Sequence, residues 1–477
     1  MDTETAAPLR FDEEHEAFRN ELASVGRDGR RKWVYARKPA GRFHTARTLV
    51  SYVLLALLFL GPFIRVQGQP ILLLNVLERK FIILGIVFWP QDFYLLVLCV
   101  LTGFLTVALV TSAVGRIWCG WLCPQTVFLE MLFRKIEWAL EGSAQQQVRR
   151  DRAPLTLDTF WRKALKHAIY FALSFAIANV FLAYIIGSDE LWTIVTDPPA
   201  AHMGGLLAIT VFSLVFYAVF ARFREQACTL ACPYGRVMGA LVDENTLTIT
   251  YDRSRGEPRA RMVRGQDPAG HGDCVDCAQC VTVCPTGIDI RNGIQLECVA
   301  CTACADACDD VMRRVGRPEG LIRYTSEEAI RSGTRRVLTW RVKAYATVWL
   351  VLLTAAVTLI GHRPDVDVLV LRQPGTLQTT LDNGDVSNFY NLQVINRSRH
   401  HVAITYHVLE PAAASITPLG PIHDVPPLGL VESRFLLRVP AAALKGTSTP
   451  VRIEVRQGGE RLHTVETSFL AITQETR

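Results

Sequence analysis

Histidine is scarce where a membrane haem would need it. His167 is the single histidine inside an apolar run, so a haem held between helices by opposed histidines is not expected. Charge is nearly balanced as well: 51 Lys and Arg against 45 Asp and Glu leave a formal +6. The basic stretch Arg253 to Arg264 alternates with Gly and Pro beside an apolar run, which reads as a solvated loop near anionic lipid. No nucleic acid is expected as a partner. Segment 187–204 carries no Lys or Arg, segment 362–477 carries no cysteine, and no output domain suits a redox sensor.

Apolar residues are abundant. Half of the 477 residues are hydrophobic and the mean hydropathy is +0.20, a combination that points to a membrane protein of two or three units. Five runs can cross a hydrocarbon core of about 30 Å. They are Thr48–Ile64, Phe93–Val114, Ala164–Ile186, Gly205–Ala221 and Lys343–Ile360. The stretch Ile71–Trp89 is apolar too, but Glu78, Arg79 and Lys80 interrupt it and Pro90 ends it. It is expected to form an interfacial re-entrant or hairpin segment.

Basic residues set the expected sidedness, because loops rich in Lys and Arg stay inside. Residues 1–47 hold ten, 115–163 eight and 222–341 seventeen; 65–92 holds three. The N-terminus and the loops 115–163 and 222–341 are therefore expected inside, with 65–92, 187–204 and 362–477 outside. The first run follows a basic stretch at full length, so it is expected to be an anchor rather than a cleaved leader. Beyond residue 361 the pattern changes. Short alternating stretches such as Val366–Leu371, Tyr390–Val394, Val402–Val408, Phe435–Val439 and Val451–Val455 are separated by turn residues, which predicts a β-sandwich. His401 and His407 would share one strand face there, without a third metal ligand.

Thirteen cysteines are present, and only Cys99 stands alone, as a small hydrophobe within an apolar run. Two runs have the spacing Cys-x2-Cys-x2-Cys-x3-Cys: Cys274, Cys277, Cys280, Cys284 and Cys298, Cys301, Cys304, Cys308. That is bacterial ferredoxin spacing. Three thiolates of each run wrap one 4Fe–4S cluster, while the fourth begins a helix that reaches the other cluster. Cys274, Cys277, Cys280 and Cys308 are thus expected to hold one cluster, and Cys298, Cys301, Cys304 and Cys284 the second. Zinc knuckles would leave the third and fourth cysteines at odd spacing, and disulfides would need an oxidising compartment. Pro285 follows the first run, whereas Asp309 follows the second. Carboxylates at Asp309 and Asp310 are expected to lower the potential of the nearby cluster.

A second set repeats a different motif. Cys119-Gly-Trp-Leu-Cys123-Pro124 and Cys228-Thr-Leu-Ala-Cys232-Pro233 each follow an outside-to-inside span. In a helical turn, residues i and i+4 share a face, so each pair would present two thiols together. The four could converge on Cu(I), act as redox dithiols, or hold a third iron–sulfur cluster. His202-Met203 on an outer loop is a weaker copper candidate.

Taken together, the motifs resemble the CcoG/FixG/RdxA family of cbb3-type cytochrome c oxidase accessory proteins. The resemblance rests on Val87-Phe-Trp-Pro-Gln-Asp-Phe-Tyr94, Trp118 to Gln125, Ala231-Cys-Pro-Tyr-Gly-Arg236, both ferredoxin runs and Gly316 to Tyr324. It implies a multi-pass inner-membrane protein with an immunoglobulin-like periplasmic C-terminal domain. The implied role is oxidase assembly by reduction of Cu(II) to Cu(I), with oxidase subunits or copper-delivery proteins as partners and a cytoplasmic electron donor. The full expectation is a basic N-terminus 1–47, four transmembrane helices within 48–222 and a cytoplasmic two-cluster ferredoxin-like α+β domain 223–341. A fifth helix 342–361 and a β-sandwich 362–477 complete the five-helix bundle architecture. Alternatives are a non-catalytic scaffold, or a quinol-linked membrane ferredoxin of the nitrate and nitrous oxide type.

Overall fold

The computed structural model describes residues 23–26, 28–66, 68–77, 79–261, 270–373, 378–380, 385–420, 424–457 and 459–471, without the side chains of Arg236 and Met238. Glu78, residues 1–22 of the basic N-terminus and the end of the stretch Arg253 to Arg264 lie outside these residues. The chain divides into two compact units, 1–356 and 357–477.

Among the described residues, five helical spans are long and apolar enough to cross a membrane: Arg42–Phe63, Pro90–Val114, Leu157–Ile186, Pro199–Phe223 and Trp340–Gly361. The first four contain α1 (Arg42–Leu60), α2 (Phe93–Val114), α3 (Leu157–Ile186) and α4 (Met203–Ala218). The five expected runs lie within these spans, except that Ile64 falls one residue past the first. Two helices start earlier than the apolar runs because their first turns carry paired or buried charges. In α3, Arg162 pairs with Asp158 at 2.9 Å, and Lys163 with Asp151 at 2.7 Å. In α1, Arg47 is buried at 2% exposure. A hydropathy pattern ends at a charge, but a helix does not. Hydroxyls inside α2 are satisfied locally: Thr102, Thr106 and Thr111 donate to the carbonyls four residues back at 2.8, 2.7 and 2.7 Å. That suits a segment in lipid, where no water can take their place.

The stretch between α1 and α2 is a three-stranded antiparallel meander, β1 (Leu72–Asn75), β2 (Lys80–Ile83) and β3 (Ile86–Phe88). Of the two expected forms, re-entrant or hairpin, the described residues take the hairpin form.

The cysteine-rich segment is organised by one antiparallel pair, β4 (Thr248–Tyr251) and β5 (Ile322–Thr325). Two helices pack beside it, α5 (Gln279–Thr282) and α6 (Ala303–Val315). Their core contains Ile249, Tyr251, Ile290, Met312, Leu321 and Ile322 together with Cys274, Cys280 and Cys308.

The second unit contains two antiparallel sheets. One runs Ser415–Pro418, Leu430–Val439, Val386–Asn396, Val366–Arg372, with Thr379–Thr380 beside Val386–Asn396; the other runs Ile404–Glu410, Ser448–Gln457, Glu460–Leu470. Alternate residues Val366, Val368 and Val370 are buried, as the period of two requires. Across the sheets, Tyr390 Oη donates to the Ser468 carbonyl at 2.8 Å and Asn388 Nδ2 to that of Leu470 at 2.7 Å. His407 lies on a strand, but His401 precedes it and faces Asp424 at 2.8 Å, so the two do not form a shared site.

Candidate iron–sulfur and thiol sites

Both ferredoxin runs have the same backbone. Asp276 and Ala278 flank Cys277 with φ of 47° and 51°; Ala300 and Thr302 flank Cys301 with φ of 53° and 65°. Four non-glycine residues in the left-handed region are a real strain, repeated at matching positions. Alternating hand in this way turns successive N–H groups toward one concavity, a shape that receives anions such as cluster sulfurs. The N–H groups of Ala300 and Ala303 point to the thiols of Cys298 and Cys301 respectively.

Two small cavities result. Cys274, Cys277, Cys280 and Cys308 border one, with Tyr251 and Met312. Cys284, Cys298, Cys301 and Cys304 border the other, with Ile249 and Ile290, and Cys280 also reaches its edge. The fourth cysteine of each run thus lies at the other run's cavity. The helix expected to begin at each fourth cysteine is placed differently. Cys284 follows α5, and Cys308 sits in the middle of α6, because helix formation starts just before the third cysteine of each run.

Electrostatics test whether these residues fit a metal group. Burial, with repulsion from neighbouring thiolates, pushes Cys280, Cys298 and Cys308 up to about 12 and Cys301 to about 11. A cationic metal group among the sulfurs would reverse both causes, so the donor set fits such a group. Cys277 is the only exposed cysteine of the thirteen. Asp309 is buried; its Oδ1 accepts from the Gly320 N–H at 2.8 Å and its Oδ2 lies 3.5 Å from Arg42. Its charge is therefore partly compensated, which reduces the effect expected from the sequence. Asp310 pairs with Arg314.

The Cys-x3-Cys-Pro motifs differ from the expected helical turn. Trp118–Leu122 and Ala227–Ala231 are π-turns, closed by Cys123 N–H to Trp118 O at 2.8 Å and Cys232 N–H to Ala227 O at 2.9 Å. Each second cysteine is extended, with ψ of 125° and 111°. The cause is the following proline, which excludes its predecessor from the α region. Four residues before each first cysteine the chain breaks at positive φ, at Gly115 (65°) and Arg224 (53°). Sequence reasoning found the repeat of cysteines; the matching breaks show that the whole turn is duplicated.

The two turns meet. Burial raises the thiols of Cys119 and Cys228, the latter to about 12, and Cys123 and Cys232 lie close enough to add repulsion at both. The Arg116 guanidinium opposes this at Cys119. Arg116 is buried, donates to the Leu296 carbonyl, and leaves Nε without a partner. Gly120 lies against the cluster loop: a Cβ there would collide with the Val299 carbonyl and stand 2.9 Å from the Cys301 nitrogen. Cys119 packs with Val283, Val299, Cys301 and Ala303. The cavity of Cys284, Cys298, Cys301 and Cys304 is thus the one adjacent to the paired motifs.

A buried ionic framework, which the sequence did not indicate, holds these turns. Arg224 donates both terminal nitrogens to Glu137 at 2.9 and 2.8 Å. Arg134 donates to Glu130 at 2.6 Å and to the Pro285 carbonyl at 3.0 Å, and Arg31 to Glu225 at 2.9 Å. Apart from Glu130 and Arg134, four residues from each other, and the adjacent Arg224 and Glu225, its partners are distant in sequence, so spacing alone does not reveal the network. His202 is occupied by Asp197 at 2.9 Å. Cys99 lies within α2.

Comparison with known proteins agrees with this layout. A family described as a 4Fe-4S dicluster domain matches residues 223–327, a 4Fe-4S binding domain matches 96–141, and the IG-like fold at the C-terminus of FixG matches 356–471. Protein RdxA of Cereibacter sphaeroides is 38% identical over 381 residues, covering 76% of this chain and 80% of that protein. Protein RdxB of the same organism is 31% identical over 458 residues, with 91% and 95% covered. Nitrogen fixation protein FixG of Rhizobium meliloti is 40% identical over 308 residues, with 62% and 58% covered.

Proposed function

Because this chain belongs to the RdxA/FixG family, we propose that it is a membrane electron-transfer protein that delivers single electrons to Cu(II). The observation that carries the proposal is the packing of Gly120 and Cys119 on the loop Val299–Cys301. It leaves no layer of other residues between the second ferredoxin cavity and the paired thiols.

A 4Fe–4S group in each ferredoxin cavity supplies one-electron exchange without bond rearrangement. Cys274, Cys277, Cys280 and Cys308 hold the outer group, and Cys284, Cys298, Cys301 and Cys304 the inner one. A soluble one-electron donor protein docks where Cys277 reaches the surface. The strained loops keep N–H groups on the sulfurs, and the apolar residues Ile249, Ile290 and Met312 exclude water. Electrons arrive at Cys119, Cys123, Cys228 and Cys232, where each Cu(II) takes one and leaves as Cu(I), the state that thiolates favour.

The distribution of Lys and Arg supports an inner-membrane orientation with the ferredoxin segment 223–341 in the cytoplasm and the sandwich 362–477 in the periplasm. There the sandwich would face oxidase subunits or copper-delivery proteins. The test is anaerobic: the purified, pre-reduced protein is mixed with Cu(II) and a Cu(I)-specific chelator. Stoichiometric Cu(I) is expected from wild type and a loss of at least tenfold in rate from Cys228→Ala/Cys232→Ala. Equal rates would remove these cysteines from the path.

A further inference from the structure

Electrons enter the outer ferredoxin cavity where one of its thiols meets solvent, at Cys277. Resting on the electron path above, we propose that the surface around Cys277 docks an acidic, soluble one-electron carrier protein. The segment 37–44 supplies part of the positive charge that recognises it. On docking, the reduced carrier loses one electron and the outer cluster gains it; no proton moves and no bond forms or breaks.

The segment that leads into α1 is fastened across both helices of the outer cavity. Arg37 donates its backbone N–H to the Thr282 carbonyl at 2.8 Å and its guanidinium to the Gln279 side chain at 2.5 Å, both on α5. The N–H groups of Phe43 and His44 donate to Asp306 on α6 at 3.1 and 2.7 Å. Gln279 borders the outer cavity, so Arg37 lies on its rim. A neutral amide leaves the charge of Arg37 undiminished, and both Arg37 and Lys38 are exposed.

Where other cations of this face meet carboxylates, the cation lies outermost. The Arg42 side chain is 71% exposed against 5% for Asp309, and Arg261 is 86% exposed against 35% for Asp276. Arg313 and Arg314, farther along α6, likewise stand farther out than Glu319 and Asp310. Such a pair is neutral at a distance but turns its positive end toward an approaching partner. Arg291 runs the other way, deeper than Asp276 and Asp289, and so ties the loop rather than adding to the face. Complementary charge speeds and orients encounter more than it raises affinity. That suits a carrier that must leave after giving up one electron. Arg42 begins α1 and stands nearest to lipid, so the test includes a membrane arm.

The full chain with its clusters is placed in phosphatidylcholine nanodiscs and mixed anaerobically, without copper, with a reduced plant-type 2Fe–2S ferredoxin as the acidic carrier. Stopped flow follows reduction of the outer cluster. The rate is expected to fall about tenfold as salt rises from about 20 to about 300 mM, because screening shortens the reach of the charges. Arg37→Glu/Lys38→Glu/Arg261→Glu is expected to slow the ferredoxin about tenfold at low salt. The same variant should keep its iron and EPR signals and should be reduced no more slowly by the methyl viologen radical, a small cation. A wild-type rate that ignores salt, or a folded variant as fast as wild type, would overturn the docking face. So would loss of the salt dependence when phosphatidylglycerol replaces half of the phosphatidylcholine, since lipid then covers these cations. A protein that takes electrons from the ferredoxin yet fails to reduce Cu(II) refutes the copper acceptor and leaves the docking face standing.

Discussion

The Arg47 guanidinium donates through Nε to the Gly120 carbonyl at 2.6 Å. It does so from within α1, buried, with its Nη2 left unpartnered. The same charge acts on Cys301, so one cation stands at the junction of the inner ferredoxin cavity and the first paired motif. A positive charge stabilises the more negative, reduced state of a nearby group. Arg47→Met should therefore lower the midpoint of the inner cluster by on the order of 60 mV, equivalent to about 1.4 kcal/mol for one electron. Redox titration followed by EPR reads this, and the outer cluster should shift much less.

Gly120→Ala tests the contact itself. The added Cβ must displace the Val299 carbonyl, an overpacking that costs about 1–3 kcal/mol. Iron content at the ferredoxin runs should survive, while the rate of Cu(II) reduction falls at least tenfold because the loop is pushed away. Unchanged rates would show that electrons do not cross here.

Cluster pairing is open to single substitutions. Cys284→Ser should perturb the same EPR signal as Cys298→Ser, although Cys284 belongs to the other run. Cys308→Ser should perturb the signal that Cys274→Ser does. Perturbation grouped by run instead would contradict the shared borders of the two cavities.

Glu137 supplies the counter-charge to a buried Arg224. Glu137→Ala leaves that guanidinium unpaired, and the expected loss is about 3–5 kcal/mol. It should appear as a lower thermal midpoint of the detergent-purified chain. Glu137→Asp should recover part of it, because the charge remains although the reach is shorter.

The sequence alone was enough for properties carried by local spacing and composition. Apolar length marked the five helices, alternation marked the strands after residue 362, and cysteine intervals marked the ferredoxin runs, since each follows from a fixed period of the backbone. Tertiary structure decided what depends on distant residues. The helical turn expected for Cys119–Cys123 gave way to a π-turn because Pro124 forbids the α conformation at Cys123, yet only the folded chain shows this turn matched at Cys228–Cys232. Arg47, Gly120, Arg116 and the Arg224–Glu137 pair carry no signature in one dimension. They become meaningful when folding brings Val299, Leu296 and Cys301 against them, since burial makes both an unpaired charge and an added methyl group costly.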